Sequence, residues 1–90
     1  MKIQFDPAFL SQLKSKNVRV KNSLKDAITL FEKDPYNSKL NNHPLQRARS
    51  GYRSIDVTAD YRAIYEEVPL PNGDVLAYFA YIGTHKELYE

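Results

Sequence analysis

Two histidines, two aspartates and two arginines in or beside the apolar strands of this 90-residue chain could do chemistry together. His43 lies in a stretch rich in Asn and Pro, and His85 follows the last apolar run. Histidine titrates near pH 6.5, so it can take or give a proton close to neutrality. Asp56 and Asp60 could orient such a ring or assist it, and Arg53 and Arg62 could hold a phosphate. A base, an acid and an arginine are what cleavage of RNA through its 2′-hydroxyl requires. The base takes the hydroxyl proton, the acid protonates the leaving 5′-oxygen, and arginine offsets charge on the phosphorus oxygens. Taken singly, each residue also has a plainer use. Asp60 sits at a turn, Arg62 could pair with Glu66 along its strand, and the tyrosines at 52, 61, 65, 78 and 81 could simply pack.

Other chemistries are poorly served. There is no cysteine, so no disulfide and no thiol nucleophile; with two histidines, a tight structural metal site is not expected either. Glycines at 51, 73 and 83 make no phosphate-binding loop. Mean hydropathy is −0.58 and no run approaches a membrane span. Met1 to Pro7 contains no apolar signal core, and a cytoplasmic protein is the simplest expectation. Charge is segregated. Residues 1–53 carry eleven Lys and Arg against four Asp and Glu, whereas residues 54–90 carry two against seven. The basic stretches Lys14 to Lys25 and Lys39 to Arg53 could present a face to nucleic acid or be ordinary solvated surface.

The elements that must position these groups follow from spacing. Lys2 to Phe5 alternates as a short strand. Asp6-Pro7 starts a helix with an apolar stripe at Phe9, Leu10 and Leu13, ending near Lys16-Asn17. Val20, Leu24, Ala27, Ile28 and Phe31 mark a second helix, stopped by Asp34-Pro35. Residues 35–50 read as a long loop, and such loops are often functional. Ile55 and Val57 mark a strand, Tyr61 to Glu66 another, and Val75 to Ile82 a central one; Asn72-Gly73 signals the hairpin between the last two. Gly83 to Tyr89 reads as a tail. The expectation is one α+β domain over residues 1–90: an N-terminal strand and a helical hairpin on one face of a small antiparallel β-sheet, with the other face open to a ligand.

Four segments carry a resemblance. Leu40-Asn41-Asn42-His43-Pro44-Leu45, Gly51-Tyr52-Arg53-Ser54-Ile55, Asp60-Tyr61-Arg62-Ala63-Ile64-Tyr65 and Gly83-Thr84-His85 resemble the RelE/ParE superfamily of bacterial toxins, most closely its YafQ-type branch. The likeness spans essentially the whole chain. It implies a RelE-like fold and the toxin of a type II toxin–antitoxin module. The implied activity is metal-independent, cofactor-free cleavage of messenger RNA on the ribosome, held silent by an antitoxin in a complex that could be a heterotetramer. Carried over by position, His85 is the proton donor and His43 its partner in the site. Asp60 and the aromatic Tyr61 follow, and Arg62 contacts the scissile phosphate. At position 56 the chain has Asp where the pattern carries another histidine; Asp56 would then orient His43 or His85, or repel the RNA backbone.

Arg47, Arg49 and Arg53 are expected to contact RNA, and the antitoxin to be acidic or to bring an amphipathic helix. Non-catalytic inhibitors of DNA gyrase of the ParE kind share this fold, as would a decayed toxin that only binds its antitoxin. The pair His43 and His85 is what distinguishes the enzyme from the gyrase inhibitor, and Asp56 is the feature that keeps the decayed toxin in view.

Overall fold

The computed structural model describes residues 1–89. β1 spans Lys2–Phe5, with Ile3 and Phe5 turned toward the core. Asp6 caps helix α1 (Pro7–Lys14): its carboxylate accepts from the Ala8 N–H at 2.7 Å, and Pro7 takes the first helical position, where a missing N–H costs nothing. Asn17 caps helix α2 (Val18–Lys33) by accepting from the Val20 N–H at 3.0 Å. Val20, Leu24, Ala27 and Phe31 form the buried stripe of α2. Pro35 follows the end of that helix, as the sequence predicts.

The residues that read as a loop hold more structure than composition suggests. A 3₁₀ turn at Ser38–Leu40, the two-residue strand β2 (His43–Pro44) and a second 3₁₀ turn at Arg47–Arg49 lead into β3 (Tyr52–Asp56). β4 (Tyr61–Pro69) and β5 (Val75–Thr84) form the long hairpin, closed by Leu70 to Asp74 with Gly73 at φ 90°. The expected tail is in fact the end of β5 followed by a short helix, α3 (His85–Tyr89).

The sheet order is β1-β5-β4-β3-β2. The pairs β2–β3, β3–β4 and β4–β5 are antiparallel, but β1 pairs parallel with β5, so the sheet is mixed rather than antiparallel. The correction has a topological cause. Parallel neighbours need a long crossover, and here the helical hairpin and everything after it supply one. Between Ile64 and Tyr65 the register to β5 slips: Ile64 faces Tyr81 and Tyr65 faces Phe79, leaving Ala80 as a bulge.

Strand alternation gives the sheet two different faces. Ile55, Ala63, Tyr65, Ala77, Phe79 and Ile82 pack under the helices. Phe31 sits at the centre, its ring 5.1 Å from Tyr65 and 5.4 Å from Phe79. Ser54, Asp56, Ile64, Arg62 and Tyr81 take the other face by register. That face is not open throughout. Leu88 of α3 is buried, and Ser54 and Ile64 are fully covered. The opening lies at one end, where β2, β4 and α3 meet.

Candidate active site

His43 is placed by a chain of backbone constraints. Asn41 adopts a left-handed conformation, φ 47° and ψ 47°, which asparagine tolerates better than most residues. The chain then enters β2, where His43 pairs with Ser54. The ring Nδ1 lies 2.8 Å from the Asn41 carbonyl oxygen. A carbonyl can only accept, so Nδ1 carries the proton and Nε2 of the neutral ring keeps its lone pair. That is the tautomer of a base acting through Nε2.

Asn42 pins the same turn from the other side. Its Nδ2 donates to the Pro35 carbonyl at 2.9 Å and to the Tyr65 hydroxyl at 2.8 Å, and its Oδ1 accepts from Arg53 Nε at 2.8 Å. Burial pushes the Tyr65 phenol above its ordinary pKa.

His85 is the first residue of α3. Its backbone N–H donates to the Asp60 carbonyl at 3.2 Å, which ties the β3–β4 turn to the helix start. Thr84 and Glu87 complete the anchor as a capping box. Lys16, 3.9 Å from Glu87, links the helical hairpin to it.

Arg62 is held more tightly than any other arginine near the site. Its Nη1 donates to the carbonyls of Thr58, Ala59 and Tyr61 at 3.0, 3.1 and 3.1 Å. Its Nε lies 2.9 Å from Asp56 Oδ1, an ion pair by distance whose N–H direction is not aligned for a hydrogen bond. His43, His85 and Arg62, with Asn41 and Leu45, line one depression.

The other residues singled out by sequence lie elsewhere. Asp56 pairs with Arg62 and lines a different cleft, between α2 and the Ser38–Leu40 turn. Asp60 has an exposed side chain and meets His85 through its backbone. Tyr61 packs toward the helices, with Lys16 5.5 Å from its ring centre. Arg53 stacks 5.3 Å from Tyr36 on the helix side of the sheet. Arg49 is engaged within the fold: its Nε donates to the Leu88 carbonyl at 3.1 Å and its guanidinium lies 4.7 Å from the Tyr81 ring. Arg47 is exposed.

Sequence reasoning missed Asn42 and Glu87. The pattern Thr84-His85-Lys86-Glu87 is a legible capping box, so Glu87 had a signal; Asn42 had none. Among the described residues no group of three or more His, Asp or Glu could hold a metal ion, and no helix is long and apolar enough to cross a membrane.

No protein-family model matches the sequence, and no curated protein does. Solved structures do. YafQ from E. coli strain BL21(DE3) is 29% identical with a TM-score of 0.72, over 99% of this chain and 98% of its own. YafQ in the E. coli DinJ-YafQ toxin-antitoxin complex is also 29% identical, with a TM-score of 0.69 over 99% of this chain and 97% of its own. A YoeB/ParE toxin from Agrobacterium tumefaciens shares the fold, with a TM-score of 0.74 at 18% identity over 94% of this chain and 99% of its own. With the full-length match to YafQ and the four sequence segments in place on this scaffold, the chain fits a YafQ-like toxin of the RelE/ParE superfamily.

Proposed function

We propose that this type II toxin is a ribosome-dependent endoribonuclease that cuts messenger RNA without a metal and so stops translation in the cytoplasm. The observation that carries the reading is the meeting of His43, His85 and Arg62 in one depression. His43 Nε2, left basic by the Nδ1 hydrogen bond, takes the proton from a ribose 2′-hydroxyl. The 2′-oxygen forms a bond to phosphorus as the bond to the 5′-oxygen breaks. His85, in its protonated form, delivers a proton to that leaving oxygen. Arg62 offsets the charge that gathers on the phosphate oxygens. The products are a 2′,3′-cyclic phosphate and a 5′-hydroxyl. Asp60 assists through its hold on His85, and the exposed Arg47 contributes to RNA attraction. A cognate antitoxin silences the toxin, as the toxin–antitoxin complex of YafQ suggests by analogy.

The test is expression without the partner gene, followed by mapping of transcript ends. New 3′ ends bearing cyclic phosphate, formed equally in EDTA, are expected. Growth arrest with intact transcripts would overturn the nuclease and favour a non-catalytic inhibitor of the same fold.

A further inference from the structure

Asp56 and Arg62 face each other across β3 and β4, and both side chains are largely buried, with 29% and 19% of their surface exposed. The guanidinium is held on two of its three nitrogens. Nε lies against Asp56, and Nη1 is spent on two carbonyls of the β3–β4 turn and that of Tyr61 at the start of β4. Nη2 has no hydrogen bond among the described residues, while Arg62 lines the same depression as His43 and His85. A free arginine samples many rotamers, and a guanidinium hydrogen-bonded at Nη1 and paired with a carboxylate at Nε samples few. We propose that Asp56 is a positioning residue: it fixes the plane of Arg62 so that Nη2 is offered to a phosphate oxygen in the depression.

This rests on the reading that Arg62 meets the phosphate. A carboxylate so close to an anion site should by charge alone weaken anion binding, so orientation and electrostatics predict opposite signs for its removal. Asp56→Asn keeps an oxygen near Nε and removes the charge. Asp56→Ala removes both. The probe is inorganic phosphate, titrated into the full ¹⁵N-labelled chain while the Arg62 Nε–H signal is followed; Arg62→Ala identifies the signal.

Phosphate should bind Asp56→Asn roughly threefold more tightly than the wild type, the effect of one unit charge about 6 Å away in water. It should bind Asp56→Ala more weakly than the wild type, although that variant lacks the same charge. Equal tightening in both variants would overturn the proposal, as would a wild-type Arg62 signal indifferent to phosphate. If Asp56→Ala does not fold, Asp56→Ser, which also falls short of Nε, gives the same comparison. Binding is read without cleavage. A chain that follows the expected order yet leaves transcripts intact would overturn the nuclease and leave the positioning of Arg62 standing.

Discussion

Thr84 and Glu87 cap each other: Glu87 Oε1 accepts from the Thr84 N–H at 2.8 Å, and Thr84 Oγ1 accepts from the Glu87 N–H at 3.1 Å. The exchange fixes where α3 begins, and therefore where His85 stands at its first position. Gly83 belongs to the same arrangement, because a Cβ there would meet Glu87 Oε1 at 3.3 Å and Leu88 Cδ2 at 3.4 Å. Glu87→Ala should leave the sheet intact and loosen α3. Faster amide exchange at residues 85–88, with weaker growth arrest, is the expected result. Unchanged protection would mean that Leu88 and Arg49 hold the helix without the box.

The cap also carries a pH dependence. The backbone hydrogen bond from Thr84 holds the Glu87 carboxyl below its ordinary pKa, helped by the Thr84 hydroxyl and the charge of Lys16. A depressed folded-state pKa means that the stabilisation is fully present above the ordinary glutamate value of about 4.3. It is lost as the pH falls through the lower folded value. Protection of the α3 amides should therefore fade only in acid, and Glu87→Gln should flatten that part of the profile. A loss that begins near pH 6.5 would point to a histidine instead.

Most of the fold could be read from residue spacing, because its signals are local. Asp6-Pro7, the Val20–Phe31 stripe and Asn72-Gly73 each specify a neighbouring stretch of backbone. What spacing could not give was long-range. The parallel pairing of β1 with β5 links residues more than seventy positions apart, and nothing in Lys2–Phe5 states a partner. The histidines could be singled out by type, yet their meeting depends on β2, a strand of two residues with no periodicity. Arg49 read as a loop cation, and the side chain turns back onto Tyr81 and Leu88 because α3 is there to receive it.

Asn42 should matter through His43. Asn42→Ala would remove three hydrogen bonds and leave the buried Tyr65 hydroxyl without its partner. Leaving such a group unpaired costs roughly 1–3 kcal/mol. The expected outcome is a lower denaturation midpoint, with toxicity falling further than the stability loss accounts for. Full toxicity in a destabilised chain would show that β2 alone holds the His43 turn.

The two histidines should separate by role. Positioned acid–base catalysis contributes about 10²–10⁴-fold, so His85→Gln and His43→Gln should each abolish growth arrest. Both variants should still fold and still bind an antitoxin. The rate of cleavage by the wild type should show two limbs with pH, and each substitution should remove one of them. Two variants that stay fully toxic would remove the histidines from the mechanism.

Arg47 and Arg49 stand two residues apart and should behave differently. Arg49 bridges Tyr81 and the Leu88 carbonyl, so Arg49→Ala should cost about 1 kcal/mol of stability. Arg47 is exposed and sits at φ 58°, a conformation that costs an L-residue about 1 kcal/mol. Arg47→Gly relieves that strain and removes a charge in one step. The variant should melt higher than the wild type and yet bind ribosomes less tightly, with a shallower dependence on salt. Strain kept at an exposed cation makes sense only where that cation meets a partner. A stabilised variant with an unchanged salt slope would take this turn out of the RNA contact and leave its strained backbone without a functional reason.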